Sequence, residues 1–155
     1  MGKASILIVD DDEDIRKMFR LILEGEGYDV DEAKSGKEAI EKAKVKVYDL
    51  ALLDIVLPDI QGTQLLKKLG ETTPEMVKIM VTGYPNLENA VESLNCGADA
   101  YLIKPVNFEK LINIVKEKLA KQKAEETLTI EKIAAFVETK TKKLLQEMEE
   151  KTSSC

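Results

Sequence analysis

The sequence predicts an α/β fold, a doubly wound parallel sheet of five strands with helices on both faces. Short apolar runs alternate five times with stretches of helical periodicity. The central runs are continuously apolar rather than alternating, as strands covered on both faces are. Gly, Pro, Asn and Ser punctuate the boundaries.

The elements follow in order. Ser5–Val9 reads as a buried strand. Glu13–Glu24 reads as a helix with Ile15, Phe19, Ile22 and Leu23 on one face, stopped by Gly25 and Gly27. Asp29–Ala33 is a weaker strand, and Ser35 caps a helix reaching about Lys46. Leu50–Asp54 is the third strand, with Pro58 and Gly62 breaking the loop after it. Thr63–Leu69 is a short helix, and Val77–Thr82 the fourth strand. Asn86 caps a helix ending at Cys96-Gly97. Ala100–Ile103 is the fifth strand, and Asn107 caps a long helix from Phe108. Right-handed crossovers favour the flavodoxin-like strand order 2-1-3-4-5, with an extra C-terminal helix. Residues 1–123 form the expected main domain, 124–129 a polar linker, 130–150 an amphipathic helix and 151–155 a tail.

The chain has 155 residues, 44% of them hydrophobic and 34% charged, with a net charge of −6. That composition folds, and its acidity argues against nucleic acid as a direct partner. No apolar run is long enough for a membrane span or a signal peptide. Histidine is absent and there are only two cysteines, Cys96 and Cys155. The first excludes His-based metal sites and bases; the second fits a reducing cytoplasm.

Candidate chemistry lies at the carboxyl ends of the strands, where open α/β sheets bind ligands. Asp10 and Asp11 follow the first strand, Asp54 ends the third, Thr82 ends the fourth and Lys104 follows the fifth. Asp12, Glu13 and Asp14 read more simply as a solvated helix start, favoured by the helix dipole. Adjacent strands lie about 4.8 Å apart. Two carboxylates about 4 Å apart repel by roughly 1 kcal/mol in water and about 4 at a surface-like dielectric. Three together need a cation or raised pKa values. Hard oxygen ligands without His or Cys favour Mg2+. The Lys104 ammonium and Thr82 hydroxyl suit an anion in the same crevice. With Mg2+, a phosphoryl group is the natural guest, and an aspartate can accept it covalently.

ILIVDDDEDIR, LALLDIVLPDIQG, VTGYPNLENAVE and GADAYLIKP resemble the signatures of response-regulator receiver domains of two-component signalling, the CheY-like family, over about residues 4–121. The resemblance implies that Asp54 is the phospho-acceptor. Asp11 and Asp54 would hold Mg2+ with the Val56 backbone carbonyl, and Asp10 mainly through water. Thr82 and Lys104 would contact the phosphoryl group, and the Lys104–Pro105 bond would be cis. Tyr101 would be the aromatic switch that turns inward as Thr82 moves. Gly83 would leave room for the donor, and by the same resemblance Val56 and Tyr84 would occupy the two variable positions that tune hydrolysis in the family. The expected function is a phosphorylation-controlled switch rather than an enzyme. A histidine kinase or phosphotransfer protein would charge it, altering the face of the fourth helix, fifth strand and fifth helix for a downstream effector or a homodimer.

The segment after the linker carries Ile130, Ile133, Ala134, Val137, Leu144, Leu145 and Met148 at helical spacing. It suits packing on its own domain, a homodimer contact or a partner-docking helix. Two other identities fit parts of the sequence. One is a receiver plus linker from a larger transcriptional regulator. The other is a haloacid-dehalogenase-like phosphatase, suggested by Asp10-Asp11-Asp12 after a strand, although that reading leaves Asp54 without a role.

Overall fold

The computed structural model describes residues 3–153. The strands are β1 (Ser5–Val9), β2 (Asp29–Ala33), β3 (Leu50–Asp54), β4 (Val77–Thr82) and β5 (Ala100–Ile103). The helices are α1 (Glu13–Gly25), α2 (Gly36–Val45), α3 (Gly62–Thr72), α4 (Leu87–Asn95) and α5 (Phe108–Ser153). All five strands pair parallel in the order β2-β1-β3-β4-β5, the flavodoxin-like arrangement read from the sequence.

Alternation along the strands divides the core in two. Leu7, Val9, Leu53 and Met80 pack with Ala39 of α2 and Leu66 of α3. Ile8, Leu52, Ile79 and Val81 pack with Phe19 of α1 and Leu111 of α5. Each fully buried side chain of this size contributes about 1.5–3 kcal/mol, which fixes the strand register. Val9 stands opposite Ala33 and Leu53, Asp54 opposite Val81, and Thr82 opposite Ile103. The polar strand ends therefore share one edge of the sheet.

The starts of α1, α2, α4 and α5 are capped by residues whose chemistry suits the role, whereas Gln61 makes no side-chain cap at α3. Asp12 accepts from the N–H groups of Asp14 and Ile15, Ser35 from Glu38, Asn86 from Asn89 and Asn107 from Lys110. Asp12 is thus a capping residue, as the dipole reading of the acidic loop expects.

Two element boundaries differ from expectation by more than one residue. α3 runs to Thr72 rather than Leu69. A glycine inside a helix costs about 1 kcal/mol, and burial of Leu65, Leu66 and Leu69 carries the helix across Gly70. The polar stretch expected as a linker over 124–129 is helical, and α5 continues through it. Its residues include no Gly or Pro, and Ala124, Glu125, Glu126 and Leu128 are good helix formers. Thr129 donates its hydroxyl to the Glu125 carbonyl at 2.9 Å, and Thr127 donates to the Lys123 carbonyl at 3.0 Å, both within the helix.

Compact units divide after Leu119. In the second unit, Ile130, Ile133, Val137, Leu144, Leu145 and Met148 are all exposed. Of the expected tail, residues 151–153 belong to α5, and Cys155 lies outside the described residues.

Candidate functional site

Asp10 leaves β1 with its N–H still bonded to the Ala33 carbonyl at 3.1 Å. The sheet thus holds its backbone beside β2. Its Oδ1 accepts from the Asp12 N–H at 2.9 Å. Arg16 of α1 donates through Nη1 to the Asp10 carbonyl at 2.7 Å and through Nε to Glu32 at 3.2 Å. Arg16 is a buttress that the sequence does not announce, since a basic residue on an acidic helix start reads as ordinary surface charge.

Asp54 sits at the carboxyl end of β3, and its Oδ1 accepts from the Val56 N–H at 3.1 Å. Thr82 is fully buried at the end of β4, and its Oγ1 accepts from the Tyr84 N–H at 3.0 Å. The Lys104 N–H donates to the Thr82 carbonyl at 2.8 Å, and the Lys104–Pro105 peptide is cis, as expected.

Lys104 joins the strand ends. Its Nζ lies 2.8 Å from Asp10 Oδ2 and 3.1 Å from Asp54 Oδ2. Asp10 is 2% exposed and Asp54 7%, so water screens these charges little. Burial alone would lower the pKa of the Lys104 ammonium. The hydrogen bond and charge of Asp10, with the charge and hydrogen bond of Asp54, outweigh it and hold the group above its ordinary value.

Carboxylate oxygens of Asp10, Asp11 and Asp54 lie within 4.8 Å of one another, with Asp11 exposed. One ammonium cannot neutralise three ionised carboxylates. An all-oxygen donor set, open to solvent at Asp11, fits a hard divalent cation.

The loop between β3 and α3 closes tightly. The Gly62 N–H donates to the Ile55 carbonyl at 2.7 Å, and Val56 forms an antiparallel bridge with Gln61. A Cβ at Gly62 would stand 2.3 Å from the Asp54 carbonyl oxygen, so only glycine admits this approach. Asp59 at the loop tip accepts from the Gly36 and Lys37 N–H groups at 2.9 and 2.8 Å, a contact the sequence does not signal.

Tyr101 of β5 is partly buried against the core beside α2 and α3. Its hydroxyl is buried without a hydrogen-bond partner among the described residues. Such a group costs about 1–3 kcal/mol. Val56 and Tyr84 expose their side chains at the crevice. Asp12, whose carboxylate caps α1, supplies no second carboxylate of the kind the phosphatase alternative requires, and Asp54 lies with Asp10 and Asp11 at the strand ends.

A doubly wound parallel sheet carries paired acids, a threonine and a lysine at one edge. The family model of the response regulator receiver domain matches residues 6–116, and the chain belongs to that family, whose members are phospho-acceptor signalling domains of two-component systems. A CheY-like receiver domain protein from Methanospirillum hungatei JF-1 is 51% identical, with a TM-score of 0.78. That match covers 80% of this chain and 99% of the other. The transcriptional regulatory protein ZraR of Klebsiella oxytoca is 38% identical over 86% of this chain and 30% of its own length. A response regulator from Burkholderia pseudomallei, described with a phosphorylated aspartic acid and a calcium ion, is 29% identical, with a TM-score of 0.71. That match covers 81% of this chain and 74% of the other. The chain spans under a third of the length of the ZraR relatives.

Proposed function

We propose that the chain is a phosphorylation-controlled switch in which Asp54 accepts a phosphoryl group from a histidine kinase or phosphotransfer protein. The observation that carries this reading is the Lys104 ammonium bridging buried Asp10 and Asp54, with Asp11 alongside. Residues 1–123 form the switch module. Asp10, Asp11, Asp54 and the Val56 carbonyl would hold Mg2+, which when bound neutralises charge on the phosphoryl oxygens. The donor's P–N bond breaks as a P–O bond forms to Asp54, and the donor imidazole takes up a proton. Lys104 holds a phosphoryl oxygen by charge, and the Thr82 hydroxyl donates to another. The Burkholderia relative's phosphorylated aspartate and calcium ion support this assignment.

Signalling needs two states that a partner distinguishes. Tyr101, whose buried hydroxyl lacks a partner, is the proposed packing switch. Leu87, Val91, Leu94, Ile103 and Phe108 expose an apolar surface on α4, β5 and the start of α5. That surface is the proposed output face for an effector protein or a homodimer. No helix of the described residues is long and apolar enough to cross a membrane, and we assign the switch to the cytoplasm, beside kinase catalytic domains. The greater length of the ZraR relatives favours a second reading, in which this chain is the receiver and linker of a larger transcriptional regulator.

Incubation with a small phosphodonor and Mg2+ tests the acceptor. Wild type should add one phosphoryl mass, and Asp54→Asn none. Equal labelling of Asp54→Asn would move the acceptor elsewhere.

A further inference from the structure

We infer that Asp59 is a positioning residue for the metal centre, clamping the loop that carries Val56 to the first turn of α2. The inference rests on the Mg2+ reading above and extends it to a residue outside the ligand set. Between Asp54 and α3, the chain must turn back while keeping the Val56 carbonyl in place. Its base is fixed by the Gly62-to-Ile55 hydrogen bond and the Val56–Gln61 bridge. Its tip is anchored to the start of α2. Both Asp59 carboxylate oxygens accept backbone N–H groups, from Gly36 at 2.9 Å and from Lys37 at 2.8 Å.

These donors are among the unsatisfied N–H groups of a helix start, where positive partial charge favours a carboxylate. The backbone hydrogen bonds from Lys37 and Gly36 hold the Asp59 carboxyl below the usual carboxylate range. Ile60 adds a second contact. Its Cγ2 lies 2.0 Å from where a Cβ on residue 36 would stand, so the loop occupies the space Gly36 leaves open. Leu57, between Val56 and the clamp, is buried in the core and ties the middle of the loop to it. Val56 therefore lies between two fixed points, Asp54 below and Asp59 above. Releasing Asp59 frees the carbonyl to move while leaving Asp10, Asp11 and Asp54 untouched.

By linkage, if the clamp favours the metal-bound arrangement, bound metal must favour the clamp equally. Isothermal titration with Mg2+ alone and amide hydrogen exchange test both directions. Asp59→Ala should weaken Mg2+ binding by about tenfold, the low end for partners that orient metal ligands. Asp59→Asn, which keeps one acceptor oxygen, should fall between. In wild type, saturating Mg2+ should slow exchange at the Gly36 and Lys37 amides by about the same factor. A cap with a merely structural role would leave that exchange insensitive to Mg2+. If Asp59→Ala binds Mg2+ within twofold of wild type, or if exchange at the two amides ignores the metal, the positioning role is overturned. A wild-type protein that takes up no Mg2+ overturns the functional reading itself, and shows it without any variant.

Discussion

The Lys104 ammonium lies 3.1 Å from Asp54 Oδ2, so the proposed acceptor is held by a cation fifty residues further on, just past the end of β5. The same ammonium reaches Asp10 at 2.8 Å. Removing it leaves two buried carboxylates facing one another. Lys104→Met should destabilise the metal-free protein by about 3 kcal/mol, the cost of breaking a buried ion pair. Added Mg2+ should then stabilise the variant more than wild type, because the metal replaces the lost charge. Urea unfolding with and without Mg2+ checks this. A variant as stable as wild type without metal would show that the ammonium contributes little to holding the acids.

A second polar contact secures the sheet edge. The Tyr48 hydroxyl donates to Asp31 Oδ2 at 2.6 Å, and Lys46 reaches the same carboxylate at 3.1 Å. The Tyr48 bond lowers the Asp31 pKa from its ordinary 3.8, burial opposing and Lys46 assisting. That stabilisation is present above the ordinary value and lost as pH falls through the lower native one. Burial first, and then Asp31, raise the Tyr48 pKa above its ordinary 10.0. Its contribution is present below that value and lost as pH rises through the higher native one. Tyr48→Phe should flatten the dependence of melting temperature on pH at both edges, below about pH 4 and above about pH 10. An unchanged profile would dismiss the pair as a pH-dependent stabiliser.

The acidic loop divides by role. Asp12 caps α1, whereas Asp10 and Asp11 face Asp54. Asp12→Ala should cost about 1 kcal/mol of stability and leave the rate of phosphodonor labelling unchanged. A variant that labels slowly would assign Asp12 to the site.

Strand positions were legible because burial on both faces writes continuous apolar runs, and Asp10, Asp54, Thr82 and Lys104 follow from the parallel topology. α5 was less legible. Polarity over 124–129 resembles a linker, but polarity alone does not break a helix when Ala, Glu and Leu occupy it. Contacts between distant segments were hidden for a different reason. Asp59 and its N–H donors are 22 and 23 residues apart, and neither end carries a local pattern. Lys78 is similar. It is a buried lysine whose Nζ donates to the Met76 carbonyl at 3.0 Å, within a run that reads as an ordinary strand.

Val56 and Tyr84 stand in equivalent places. Each is two residues beyond a site side chain, and each donates its N–H back to it, Val56 to Asp54 and Tyr84 to Thr82. Their side chains are 55% and 76% exposed at the crevice. Neither offers a carboxylate or amide that could orient an attacking water, so phosphoryl-Asp54 should decay slowly without a phosphatase. Val56→Asn places an amide beside the acceptor and should shorten the half-life by about tenfold, less than a full general base supplies. Decay of protein-bound phosphate after removal of the phosphodonor measures both proteins. A wild-type half-life of only seconds would mean that water is oriented by some other group, and the role of these two positions would be withdrawn.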